Sequence, residues 1–133
     1  MTSIYIDTNV FLARMDGNHP DNKKATRFLK EIRHEGNGVV STYTIFELIW
    51  VLIYTKKQAY IQTLLDKLFK TNVKIIPVTE EILLRFRNTY EPIKGAKDFL
   101  HYTIMAVNNI DTIATFNQKH FKAFKLNIYQ FDT

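Results

Sequence analysis

The sequence predicts an α/β fold: a central parallel sheet between two layers of helices, a three-layer α/β/α arrangement. Three observations lead there. Short apolar segments alternate with one or two helical patterns along the whole chain, and such crossovers join parallel strands covered on both faces. The 133 residues, 46% of them apolar, suit a single domain (1–133) with one sizeable core. No repeat, low-complexity segment or linker interrupts the pattern.

The elements follow in order. Ile4-Tyr5-Ile6 is a short strand that stops at Asp7-Thr8-Asn9, where Thr8 or Asn9 is placed to cap the turn Val10-Phe11-Leu12-Ala13. Gly17 to Pro20 is a loop, with Pro20 suited to the first turn of the next helix. Ala25, Phe28, Leu29 and Ile32 recur at helical spacing until Glu35. Gly36-Asn37-Gly38 ends that helix and Val39 to Thr42 reads as a second strand. Residues 44–54, TIFELIWVLIY, are apolar enough for a buried strand or helix; their length and the preceding Ser41-Thr42 favour helix. Tyr60, Leu64, Leu65, Leu68 and Phe69 mark another helix, and Val73 to Val78 a strand. Thr79 caps a helix running to about Tyr90, residues 91–95 form a loop, and a helix spans Asp98 to about Asn109. Asp111 to Thr115 leads into a strand, and Leu126 to Phe131 is the last.

Composition narrows the function. Eighteen Lys and Arg against thirteen Asp and Glu give a formal charge of +5, which favours a polyanionic partner such as nucleic acid. With no cysteine, disulfides and thiolate metal sites are excluded. The apolar run around Glu47 is too short to span a bilayer and the first residues lack a signal-peptide pattern, so a cytoplasmic protein with no membrane partner is expected.

Three acids stand out. Asp7 follows an apolar strand and Asp98 opens a helix, where a capping role competes with a ligand role for each. Glu47 lies inside the apolar run, where it can reach solvent, pair with Lys or Arg, or face a ligand. Each sits near a helix start that follows a strand or loop. In an open parallel sheet those starts gather beyond the carboxyl ends of the strands, where Asp7 and Asn117 also fall. Three converging carboxylates repel one another unless a cation lies between them. An all-oxygen set suits Mg²⁺ or Mn²⁺.

The segments IYIDTNVFL, STYTIFELIWVL, GAKDFLHYTIMA and IATFNQKHF, in this order, resemble the four motifs of PIN domains over nearly the whole chain. The resemblance implies a PIN-like fold and a Mg²⁺/Mn²⁺-dependent endoribonuclease. Asp7, Glu47, Asp98 and Asn117 would be its catalytic residues, the three acids would hold the metal, and Thr8, Asn9 and Thr115 would support them. At the fourth position the family often has Asp; Asn117 brings a carbonyl but no charge. Arg14, Lys94 and Lys97 lie near the acidic motifs in sequence and are candidate RNA-phosphate contacts. His101, one helical turn beyond Asp98, reads as a polar helix position or substrate contact; His19 and His120 read as loop residues. The chain's size resembles the toxin half of VapBC toxin–antitoxin pairs, which implies an antitoxin partner and a homodimer; the apolar surface of residues 45–53 also favours a second subunit. The alternatives are a stand-alone RNA-processing nuclease and a PIN-like module that binds RNA or protein without cutting. A nucleotide-binding Rossmann domain is disfavoured because no glycine-rich loop follows the first strand, and a haloacid-dehalogenase-like phosphatase because Asn9 stands where a second Asp is needed.

Overall fold

The computed structural model describes residues 2–132. Its elements are β1 (Ile4–Ile6), α1 (Thr8–Met15), α2 (Asn22–Glu35), β2 (Gly38–Ser41), α3 (Thr42–Tyr54), α4 (Ile61–Lys70), β3 (Lys74–Ile76), α5 (Glu80–Thr89), α6 (Ala96–Val107), β4 (Thr112–Ala114), α7 (Gln118–Phe121) and β5 (Asn127–Ile128). The strands form one sheet in the order β3-β2-β1-β4-β5, every neighbouring pair parallel. The expected α/β architecture is therefore present.

Period-two alternation divides the sheet between two cores. Ile4, Ile6 and Val40 pack with Val10, Phe28, Ile32, Leu48 and Leu64 on one face. Tyr5, Val39 and Ile113 pack with Ile82, Phe99, Ile104, Met105 and Phe121 on the other. Glycine matters at Gly36, the α2 C-cap at φ 73°, a left-handed turn that L side chains resist.

The chain builds outward from β1 to β2 and β3, then returns to build β4 and β5 on the other side. The order thus reverses between β1 and β4, and a crevice opens beyond their carboxyl ends. Asp7 lies at the first of those ends and Thr115-Phe116-Asn117 at the second.

Several local expectations differ from the fold. Asp7 itself, not Thr8 or Asn9, caps α1. Pro20 precedes α2, whose cap is Asp21. Thr42 begins α3 and does not end β2, because the Ser41 hydroxyl accepts the Thr44 N–H and starts the helix there. Gly95 caps α6, so Asp98 falls inside its first turn and not at its cap. Phe69 points outward at 67% exposure. The final strand is only Asn127–Ile128, since it pairs with the short edge of β4 alone. His120 belongs to the short helix α7 rather than to a loop. Among the described residues, no helix is long and apolar enough to cross a membrane.

Candidate active site

Asp7 is almost entirely buried, at 7% exposure, yet both its oxygens are used. As the α1 cap, its Oδ1 accepts the Thr8 N–H at 2.7 Å. Its Oδ2 accepts the Thr115 hydroxyl at 2.8 Å. Asn9 ties the two strand ends together: its Nδ2 donates to Thr115 Oγ1 at 3.2 Å and its Oδ1 accepts the Phe116 N–H at 3.2 Å. Asn9 and Thr115 therefore form a clamp that fixes the Asp7 carboxylate relative to β4.

Glu47 reaches the same place from the second turn of α3. Its Oε1 accepts the Thr8 hydroxyl at 2.6 Å and faces His101 Nε2 at 2.8 Å. The same Nε2 stands 3.8 Å from Asp7 Oδ1, so one imidazole lies between two carboxylates. Burial raises the Glu47 pKa, but the His101 hydrogen bond and charge, the Thr8 hydroxyl and the Lys97 charge together outweigh it, and the net shift is downward. Beside it, burial and then the Glu47 charge push the Tyr43 phenol up to about 12.

Asp98 approaches from the first turn of α6. Its Oδ2 lies 3.5 Å from His120 Nδ1. Burial pushes its carboxyl up; the charges of Asp7 and Glu47 push the same way, against His120 and His101. The Asp7 and Glu47 charges thus act on Asp98 across the carboxyl-end side of the sheet. The close ionisable partners of Glu47 and Asp98 are imidazoles, His101 and His120.

The donor chemistry suits a hard cation: three carboxylates, of which two hydroxyls and a backbone N–H already hold Asp7 and Glu47 in place. Among the described residues, no three His, Asp or Glu side chains are gathered tightly enough to enclose an ion. An ion held here would keep several waters, as Mg²⁺ does.

The other candidates separate. Asn117 is exposed; its backbone N–H donates to Thr115 Oγ1 at 3.0 Å, supporting the clamp. Lys97 is near enough for its charge to act on Glu47. Arg14 is not beside the acids: it lies at the far end of α1 from Asp7 and lines a groove of about 700 Å³ with Lys30, Arg33, Lys67 and Lys70. About two turns of helix separate what short sequence distance suggested was adjacent. Lys94 is held 3.0 Å from Glu91 and over the Phe124 ring, engaged in its own loop. Sequence reasoning gave Tyr5 no role, and it read His101 as a polar helix position or substrate contact ahead of a metal ligand beside Asp98. Yet His101 is 2% exposed, with Tyr5 Oη at 2.6 Å from its Nδ1. The available signal was a tyrosine two residues before Asp7, hence on the same side of β1.

The fold and this cleft define a class: the chain belongs to the PIN domain family, whose pattern matches residues 4–125. Among its relatives is Ribonuclease VapC23 of Mycobacterium tuberculosis, 26% identical over 125 residues that span 92% of this chain and 98% of that protein. Solved structures share the fold. The structure of VapBC2 from Rickettsia felis, bound to a DNA fragment from their promoter, matches with a TM-score of 0.73 at 19% identity, over 98% of this chain and 100% of that one. Mycobacterium tuberculosis VapC20, a sarcin–ricin loop cleaving toxin, matches with a TM-score of 0.67 at 15% identity, over 94% and 99%.

Proposed function

We propose that this protein is a Mg²⁺- or Mn²⁺-dependent endoribonuclease that hydrolyses RNA phosphodiester bonds at the acidic cleft, and the toxin of a toxin–antitoxin pair acting in the cytoplasm. The observation that carries the reading is that Asp7 and Glu47, from distant segments, share Thr8 and the His101 imidazole at the carboxyl end of β1, with Asp98 close enough to feel both charges. The relative named a ribonuclease, aligned over nearly its full length, supports the activity. The likeness to a toxin–antitoxin complex supports a protein partner.

Asp7, Glu47 and Asp98 would hold the ion. When bound, a divalent cation offsets the charge that develops on a phosphate undergoing hydrolysis. The chain's own residues orient the site: Thr115 and the Thr8 N–H fix Asp7, and the Thr8 hydroxyl fixes Glu47. Lys97, beside Glu47 and exposed, is placed to meet an RNA phosphate. Asn117 offers a neutral carbonyl at the mouth of the cleft.

Surface chemistry supports a homodimer. Phe46, Trp50, Ile53 and Tyr54 form an exposed apolar stripe on α3, at 59%, 57%, 38% and 78% exposure. Such a stripe calls for a protein surface to cover it.

One observation favours a second reading, a PIN-like module that binds RNA without cutting: the fourth motif carries no charge at Asn117. Purified protein incubated with assorted RNAs decides between them. Cleavage that needs Mg²⁺ or Mn²⁺ and vanishes in Asp7→Asn supports the nuclease; equal inertness of both proteins across those RNAs favours the binding module.

A further inference from the structure

We propose that His101 is a positioning residue for Glu47, locked by Tyr5 so that its Nε2–H points at the carboxylate. This rests on the metal-dependent reading above and assigns a role to two residues outside the acidic set.

The geometry forms one line through the interior. Tyr5 is fully buried on β1, with Oη 2.6 Å from His101 Nδ1 and 2.8 Å from Ser41 Oγ. Thr44 Oγ1 lies 3.3 Å from the same phenolic oxygen. On the far side of the ring, His101 Nε2 is 2.8 Å from Glu47 Oε1. The imidazole has no room to turn, being edge-on to Tyr5 at 5.5 Å and against Tyr43 at 4.9 Å between ring centres.

Proton placement follows from the partners. A phenol keeps its hydrogen at neutral pH. Ser41 and Thr44 hydroxyls can donate to the phenolic oxygen, leaving the phenol hydrogen for His101 Nδ1. A neutral imidazole that accepts at Nδ1 carries its hydrogen on Nε2, the nitrogen facing Glu47. The opposite tautomer would set a lone pair against an ionised carboxylate. Both ring nitrogens are committed to protein partners, which makes His101 a poor ligand for a hard ion. Its effect is to hold Glu47 at Oε1, in register with Asp7, whose Oδ1 stands 3.8 Å from the same nitrogen. Partners of this kind, one step removed from a metal, typically change metal affinity about 10–100-fold when removed.

Mn²⁺ binding measured by calorimetry, with long-range ¹H–¹⁵N spectra of the histidine rings, tests this. Wild type should show His101 protonated at Nε2 and bare at Nδ1. His101→Leu should bind Mn²⁺ about 10–100-fold more weakly. His101→Gln, which restores a donor near the Nε2 position, should recover most of the affinity. Tyr5→Phe should weaken binding and disturb the His101 tautomer pattern while leaving the fold's thermal transition cooperative. Wild-type affinity in a folded His101→Leu, no recovery in His101→Gln, or a hydrogen found on Nδ1 with Nε2 bare would overturn the proposal; should His101→Leu not fold, the glutamine and phenylalanine variants and the spectrum still decide. If wild type binds Mn²⁺ no better than Asp7→Asn, the metal-dependent reading itself fails, and the positioning role falls with it through a separate arm of the same experiment.

Discussion

The Thr115 hydroxyl donates to Asp7 Oδ2 at 2.8 Å, joining two residues 108 positions apart at the carboxyl ends of neighbouring strands. This bond is the seam of the cleft: it sets where the most buried carboxylate points, and Asn9 in turn holds the threonine. Thr115→Val keeps the shape of the side chain and removes the donor. A hydrogen bond to a buried charged group contributes about 1.5–3 kcal/mol. Urea unfolding of Thr115→Val should show a loss in that range with an unchanged m-value.

Glu47 and Asp98 should give opposite pH signatures. The Glu47 pKa is lowered in the fold, so its contribution is complete above 4.5, its unperturbed value, and is lost as pH falls through the lower folded value. The stability gap between wild type and Glu47→Gln should therefore be widest at neutral pH and close in acid. The Asp98 pKa is raised, so the fold disfavours its ionised form at neutral pH. Asp98→Asn should be more stable than wild type at pH 7 in metal-free buffer, with the gain fading as pH falls through the folded value towards 3.8, its unperturbed value. Denaturation series across pH 3–7 check both signs.

Much of this site was legible in the sequence, and the reason is local. Asp7 ends a strand and starts a helix, and Glu47 has no capping excuse within its apolar run, so each announces itself without knowledge of the fold. Thr8 and Thr115 were identifiable as supports, although only the structure pairs Thr8 with Glu47 and Thr115 with Asp7. His101 was not legible. Its inward orientation depends on how α6 rotates over Tyr5, a contact between residues 96 positions apart that no periodicity encodes. Arg14 shows the converse: close to Asp7 in sequence, it stands about two turns of helix away at the other end of α1. The helix and strand ends drifted by a residue or two where capping decided the matter, as at Ser41 and Gly95.

Gly38 is a packing requirement. A Cβ at this position would overlap Ile32 Cγ2 and crowd Ile6 Cδ1 at 3.3 Å, where β2 lies directly under α2. Gly38→Ala should destabilise the fold by about 1–3 kcal/mol through overpacking. A thermal melt showing wild-type stability would mean that α2 can shift away from the sheet at little cost.

The apolar stripe on α3 makes an independent prediction about assembly. Wild type should run as a dimer in light scattering at micromolar concentration. Trp50→Glu, at a position 57% exposed in the single chain, should be monomeric with its helical content intact. A wild-type monomer would leave the stripe without its second copy.

The central claim is that Asp7, Glu47 and Asp98 share one hard divalent ion. A crystal soaked in Mn²⁺ and measured at the manganese absorption edge tests it most directly. The expected result is an anomalous peak between those three carboxylates, absent from Asp7→Asn. No peak there in a soaked wild-type crystal, or the same peak undiminished in the variant, would contradict it.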